Sequence, residues 1–240
     1  MRIMKSTVLL LFWCAVFLHG QQKKELPQPR VVTPGAVHGA PPPSDAIVLV
    51  GEGTGVNGWT KPDGSPTGCR AENNQMICAT GAKDAVSKVK YGAVQLHLEF
   101  ALPLMADQKG QLRGNSGVYL QGRYEVQILD SFENPTYADG SLGAVYGESA
   151  PLVNAARRPT EWQTYDIVFH PHKCGADGKV TENGSVTVIL NGVLVQDHHR
   201  IQNMKGDCSD GPLLLQDHSG FKSAPHTEMR FRNIWFRRLD

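Results

Sequence analysis

The stretch Gly117 to Asp130, GVYLQGRYEVQILD, constrains this chain more than any other. Apolar residues recur at every second position, which predicts two extended strands meeting at Gly122-Arg123 and excludes a helix. Val118, Leu120, Val126 and Ile128 would then face a core, with Tyr119, Gln121, Glu125 and Gln127 on the opposite side. A merely solvated face would carry Lys, Thr and Ser. A row of amides and an aromatic hydroxyl around one carboxylate reads instead as the floor of a polar site.

Gly92 to Phe100 repeats the pattern, with Val94, Leu96, Leu98 and Phe100 on one face and Gln95, His97 and Glu99 on the other. As a neighbour of the first two strands it would add His97 and Glu99 to the same floor. Further strands are expected at Ala46 to Val50, Gln75 to Ala79, Trp162 to His170, Leu213 to His218 and Met229 to Leu239. Gly184 to Asp197 forms a hairpin turning at Asn191-Gly192, a pair suited to two consecutive residues with positive φ. About ten strands without a convincing long helix give an all-β sandwich or jelly roll. Ser131 to Pro159 is a long connection holding Tyr137, Tyr146 and Asn154. Loops of this length in a compact domain are usually functional, and it is expected to form a rim of the site.

The 240 residues suffice for one main domain. Residues 1–20, with Arg2 and Lys5 before an apolar run from Val8 to Leu18, read as a signal peptide too short to span a bilayer. The protein is therefore expected to be exported, periplasmic or extracellular. Lipid anchoring through Cys14 ranks second, because Phe12 and Trp13 are bulky for that kind of cleavage. Residues 21–45 are Pro-rich with few bulky apolar groups, and are read as a disordered linker before a domain over 46–240. Without the leader there are 22 basic and 23 acidic side chains, a formal charge of −1, which offers no drive toward nucleic acid. Four cysteines remain, and two sequence-local disulfides, Cys69–Cys78 and Cys174–Cys208, are expected in an oxidising compartment.

Glu125, Gln127 and Asp130 give E-x-Q-x-x-D where laminarinase-type glycosidases carry E-x-D-x-x-E, so the middle acid of a two-carboxylate mechanism is an amide here. His218 is the second candidate for proton transfer, with a structural histidine as the competing reading. No Gly-rich phosphate loop or zinc motif is present in the sequence.

The blocks NSGVYLQGRYEVQILDS (Asn115 to Ser131), LGAVYG (Leu142 to Gly147), EWQTYDI (Glu161 to Ile167), LNGVLVQ (Leu190 to Gln196), PLLLQDH (Pro212 to His218) and FRNIWFR (Phe231 to Arg237) closely resemble the 3-keto-disaccharide hydrolase family. The likeness covers about residues 46–240. It implies a concanavalin/laminarinase-like jelly-roll β-sandwich of two antiparallel sheets and a carbohydrate substrate, with 3-keto-glycosides as the named class. Where many relatives follow LLLQDH with Gly, this chain has Ser219 before Gly220.

A 3-keto group acidifies the proton on C2, so one base and one acid suffice for elimination of the C1 substituent, and water then adds back. Glu125 and His218 are assigned these roles in either order. Asn115, Tyr119, Gln121, Gln127, Tyr146, Asn154 and Gln216 are the candidate substrate-binding groups. No cofactor is assigned. A divalent metal could assist the enolate, but no secure ligand set is visible. Two alternatives are a conventional retaining glycosidase using Glu125 and Asp130, and a non-catalytic sugar-binding module in which Trp59 or Tyr146 stacks on a pyranose.

Overall fold

A computed structural model describes residues 26–34, 39–219 and 227–240. The expected signal peptide and Cys14 lie outside these residues.

Two antiparallel sheets face each other across one contiguous apolar core. The smaller has five strands in the order β3 (Trp59–Thr60), β6 (Ala85–Tyr91), β16 (Gly211–Leu215), β8 (Asn115–Leu120) and β9 (Tyr124–Leu129). The path of the larger runs β15 (Val193–Arg200), β14 (Ser185–Leu190), β11 (Trp162–His170), β7 (Val94–Ala101), β17 (Glu228–Arg238), β5 (Gln75–Ala79) and β4 (Arg70–Glu72), and β2 (Ile47–Val50) also pairs with β17. Two short ribbons complete the chain: β1 (Arg30–Val31) beside β10 (Val153–Asn154), and β12 (Lys173–Cys174) beside β13 (Val180–Glu182). The architecture is the expected jelly-roll β-sandwich.

Alternation places the core-facing residues as the sequence predicts. Val94, Leu96, Leu98 and Phe100 of β7 and Val118, Leu120, Val126 and Ile128 of the smaller sheet are all buried. The Tyr165 hydroxyl crosses the core to donate to the Gln127 carbonyl at 2.6 Å, which ties the two layers together beneath the site. The Asn191-Gly192 turn forms with φ of 53° and 79°, and both disulfides pair as expected.

Two expectations fail. β7 belongs to the larger sheet, between β11 and β17, so His97 and Glu99 lie on its outer face, away from the floor formed by β8 and β9. Alternation identifies the faces of a strand but not its partner, which is fixed by contacts distant in sequence. The stretch read as a disordered linker is also partly paired: Arg30 and Val31 align in parallel with Val153 and Asn154, and the Gly39 amide donates to Glu99 at 2.8 Å. Backbone hydrogen bonds hold it where side-chain burial alone could not.

Candidate active site

The outer face of the five-stranded sheet carries the site. β8 pairs with β9 so that Tyr119 lies opposite Glu125 and Gly117 opposite Gln127. On the other side of β8, Leu214 lies opposite Tyr119, and the Gln216 amide donates to the Gly117 carbonyl at 3.0 Å. Tyr119, Glu125 and Gln216 therefore project from adjacent rungs of one face. The Tyr119 hydroxyl donates to Glu125 Oε2 at 2.7 Å and accepts from Gln216 Nε2 at 3.1 Å. Gly117 lies directly under this chain: a Cβ there would sit 2.4 Å from Glu125 Oε1. A missing side chain at the centre of the floor is what lets the carboxylate lie flat across it.

A second network borders the first. Gln111, in the 3₁₀ turn Gly110–Leu112, donates to the Gly140 carbonyl at 2.9 Å and to Thr136 Oγ1 at 3.1 Å. Its own Oε1 accepts from Asn115 Nδ2 and Gln127 Nε2, each at 3.1 Å. The amide nitrogens are thus occupied, while Asn115 Oδ1, Gln127 Oε1 and Gln216 Oε1 are buried without a hydrogen-bond partner. Buried acceptors without partners are costly, and three of them border one floor.

Above Glu125, the Tyr146 amide donates to the Glu125 carbonyl at 3.0 Å, and the Tyr137 and Tyr146 hydroxyls meet at 2.5 Å. Their rings are 45% and 43% exposed, so this edge-to-face pair forms an open aromatic wall beside a polar floor.

His218 follows β16 on the face of Gln216, in a cavity it shares with Asn115, Gln216 and Lys83. It is four residues beyond Leu214, which aligns through Tyr119 with Glu125. The strand ends at Leu215, so His218 lies in the irregular segment that follows it. Gln216 and Asn115, which line the cavity with His218, also belong to the networks around Glu125 and Gln111. Burial pushes the Glu125 carboxyl above the usual value, against the lowering effects of the Tyr119 hydrogen bond and Lys205. Burial also pushes the His218 imidazole down, against nearby Asp217. The Tyr119 phenol is raised well above its ordinary range by burial and by the Glu125 charge, so it stays a hydrogen-bond donor.

Of the candidate binding groups, Asn115, Tyr119, Gln127, Tyr146 and Gln216 gather here. Gln121 does not: it occupies the β8–β9 turn at φ 52°, where Nε2 donates to the Tyr91 carbonyl and Oε1 accepts from Arg123. Asn154 is bound to the Ser131 carbonyl and the Ala156 amide, stapling the long loop. Asp130 lies just past the end of β9, buried and paired with Arg113 at 2.8 Å. Trp59 is a core residue whose Nε1 donates to the Leu49 carbonyl, so it cannot stack on a sugar. Among the described residues, His172, Cys174 and Cys208 are grouped as a metal site would need, but the two cysteines form a disulfide. Sequence reasoning missed Gln111, whose short turn has no periodicity to mark it. It placed Tyr137 only within the long loop.

A family model described as a 3-keto-alpha-glucoside-1,2-lyase-like domain matches residues 45–237. The crystal structure of a putative glycosyl hydrolase from Parabacteroides distasonis ATCC 8503 is similar at 37% identity and a TM-score of 0.76, covering 92% of this chain and 96% of that one. A second putative glycosyl hydrolase from the same organism is similar at 19% identity and a TM-score of 0.57, covering 82% of this chain and 94% of that one, and shares the fold. No curated protein matches the chain.

Proposed function

The chain belongs to the 3-keto-alpha-glucoside-1,2-lyase-like family, and from that membership we propose that it is an exported enzyme cleaving 3-keto-glycosides on the face that carries Glu125. A base removes the proton from C2, whose acidity comes from the neighbouring ketone. The electron pair forms the C1–C2 double bond, and the C1–O bond breaks to release the leaving group, which takes a proton from the acid. Water then returns hydroxide to C1 and a proton to C2, giving net hydrolysis.

The observation that carries this reading is the placement of Glu125: a half-buried carboxylate lying over Gly117, held by Tyr119 and bordered by unpartnered amide oxygens. Glu125 and His218 supply the base and acid. Asn115, Gln127 and Gln216 accept from the sugar hydroxyls, and Tyr137 with Tyr146 offers its ring faces to the pyranose. A retaining glycosidase needs a second carboxyl about 5 Å from the first. Asp130, the partner that reading would require, lies past the end of β9, buried and committed to Arg113. This disfavours the conventional alternative.

Comparing release of the same aglycone from a glucoside and from its 3-keto derivative tests the proposal. Cleavage of the keto form alone is expected. Cleavage of the unoxidised glucoside would overturn the elimination route, and binding without turnover of either would leave a sugar-binding module.

A further inference from the structure

We infer that the Pro-rich segment before the family-matched domain is an internal strap that sets the affinity of the site, by fixing the long loop that carries the tyrosine wall. The inference rests on the site reading above.

The match to the family begins at residue 45, so the strap lies before it, up to its first residue, Asp45. The strap grips the loop near both ends. Gln28 Nε2 donates to the Thr136 carbonyl at 2.8 Å, immediately before Tyr137. Arg30 and Val31 then pair in parallel with Val153 and Asn154, and the Val32 amide donates to the Asn154 carbonyl at 2.9 Å. This is strand addition within one chain, in which main-chain bonds supply the grip. Asn154 passes it on through Nδ2 to the Ser131 carbonyl at 2.9 Å, at the start of the loop. Thr136 is also the residue whose hydroxyl accepts from Gln111, the hub of the amide floor.

The rest of the strap is anchored to the outer face of the larger sheet. The Gly39 amide and Asn233 Nδ2 both bind Glu99 Oε1, at 2.8 and 3.0 Å, and Asn233 Nδ2 also reaches the Ala40 carbonyl at 2.9 Å. Asp45 pairs with Arg237 at 2.7 Å. Glu99 is fully buried and also bound by Arg232. A buried acidic anchor on one sheet and a parallel strand against the rim of the site on the other are more than a flexible tether requires.

The test compares the parent with Gln28→Ala, which alters one exposed side chain, and with Gln28→Ala/Val32→Pro, which also removes the donor to Asn154. Hydrogen exchange is followed at Gly140, Leu142 and Gly147, whose amides bond within the loop. Sugar affinity is read by calorimetry in a Glu125→Gln background, which blocks turnover, with a 3-keto-disaccharide and its unoxidised parent. Faster exchange at these amides, unchanged exchange in β8 and β9, and an affinity lowered about fivefold or more are expected, since a loop ordered a fifth of the time binds that much more weakly. A KM raised with kcat retained would agree. Unchanged exchange, or faster exchange with unchanged affinity, would overturn the inference. Because affinity is measured without catalysis, failure of the keto chemistry and failure of the strap give different results.

Discussion

Glu125 and His218 are pushed toward one another in basicity, the carboxyl upward from 4.5 and the imidazole downward from 6.5, in both cases chiefly by burial. Activity that needs one proton across the pair therefore rises on the acid side above the usual carboxylate value and falls on the alkaline side below the usual imidazole value. A narrow, mildly acidic bell in kcat/KM is expected. Tyr119→Phe removes the bond that favours the Glu125 anion, so the acid limb should move to higher pH with the alkaline limb unmoved. Glu125→Gln should lower kcat/KM more than about tenfold, a loss above ~1.4 kcal/mol, and a smaller loss would remove Glu125 from the reaction. On the opposite sheet, burial works against the His97 imidazolium, but Asp166 and Glu99 outweigh it and raise its pKa to about 9. Its charge contributes stability that is complete below 6.5 and is lost as pH rises through about 9. Urea midpoints should fall over that window in the parent more than in His97→Gln. Single residues were legible wherever a strand stayed regular, as at Tyr119, Glu125 and Gln127. Gln121 was misread because the same alternation runs on into a turn, where its side chain serves Tyr91.

Among the elements, the β14–β15 hairpin shows a sequence signal and its structural cause agreeing. Asn191 sits at φ 53°, and its buried amide accepts from the Thr164 amide and donates to the Ala155 carbonyl, each at 2.9 Å. Asn191→Ala should cost roughly 2–4 kcal/mol, adding the loss of buried hydrogen bonds to the strain of a left-handed non-glycine residue, as read by urea unfolding. A cost under ~1 kcal/mol would show that the turn relaxes freely. Strand identity was legible through most of the chain, since period-2 alternation depends only on near neighbours. β6, with Ser87 and Lys88 interrupting its apolar residues, lacked that signal. Sheet membership was not legible: β7 and β8 follow one another in sequence and read alike, yet lie in opposite layers.

For the whole molecule, the jelly roll supplies the floor, the long loop supplies the wall, and the core holds the layers in register through Tyr165. Each disulfide closes a loop of a different length. Cys174–Cys208 closes a span of 34 residues and Cys69–Cys78 one of 9, so removing the first pair should destabilise by about 1 kcal/mol more than removing the second, if unfolded-chain entropy dominates. Equal losses on replacing each pair by Ser would place the effect in the folded state. The central claim is that cleavage proceeds through loss and return of the C2 proton. It is tested most directly by running the reaction on a 3-keto-glycoside in D2O and measuring deuterium at C2 of the sugar released at early times. Incorporation of one solvent deuteron at C2, absent from recovered substrate and from a Glu125→Gln control, is predicted; a released sugar that keeps its original C2 hydrogen would contradict the mechanism.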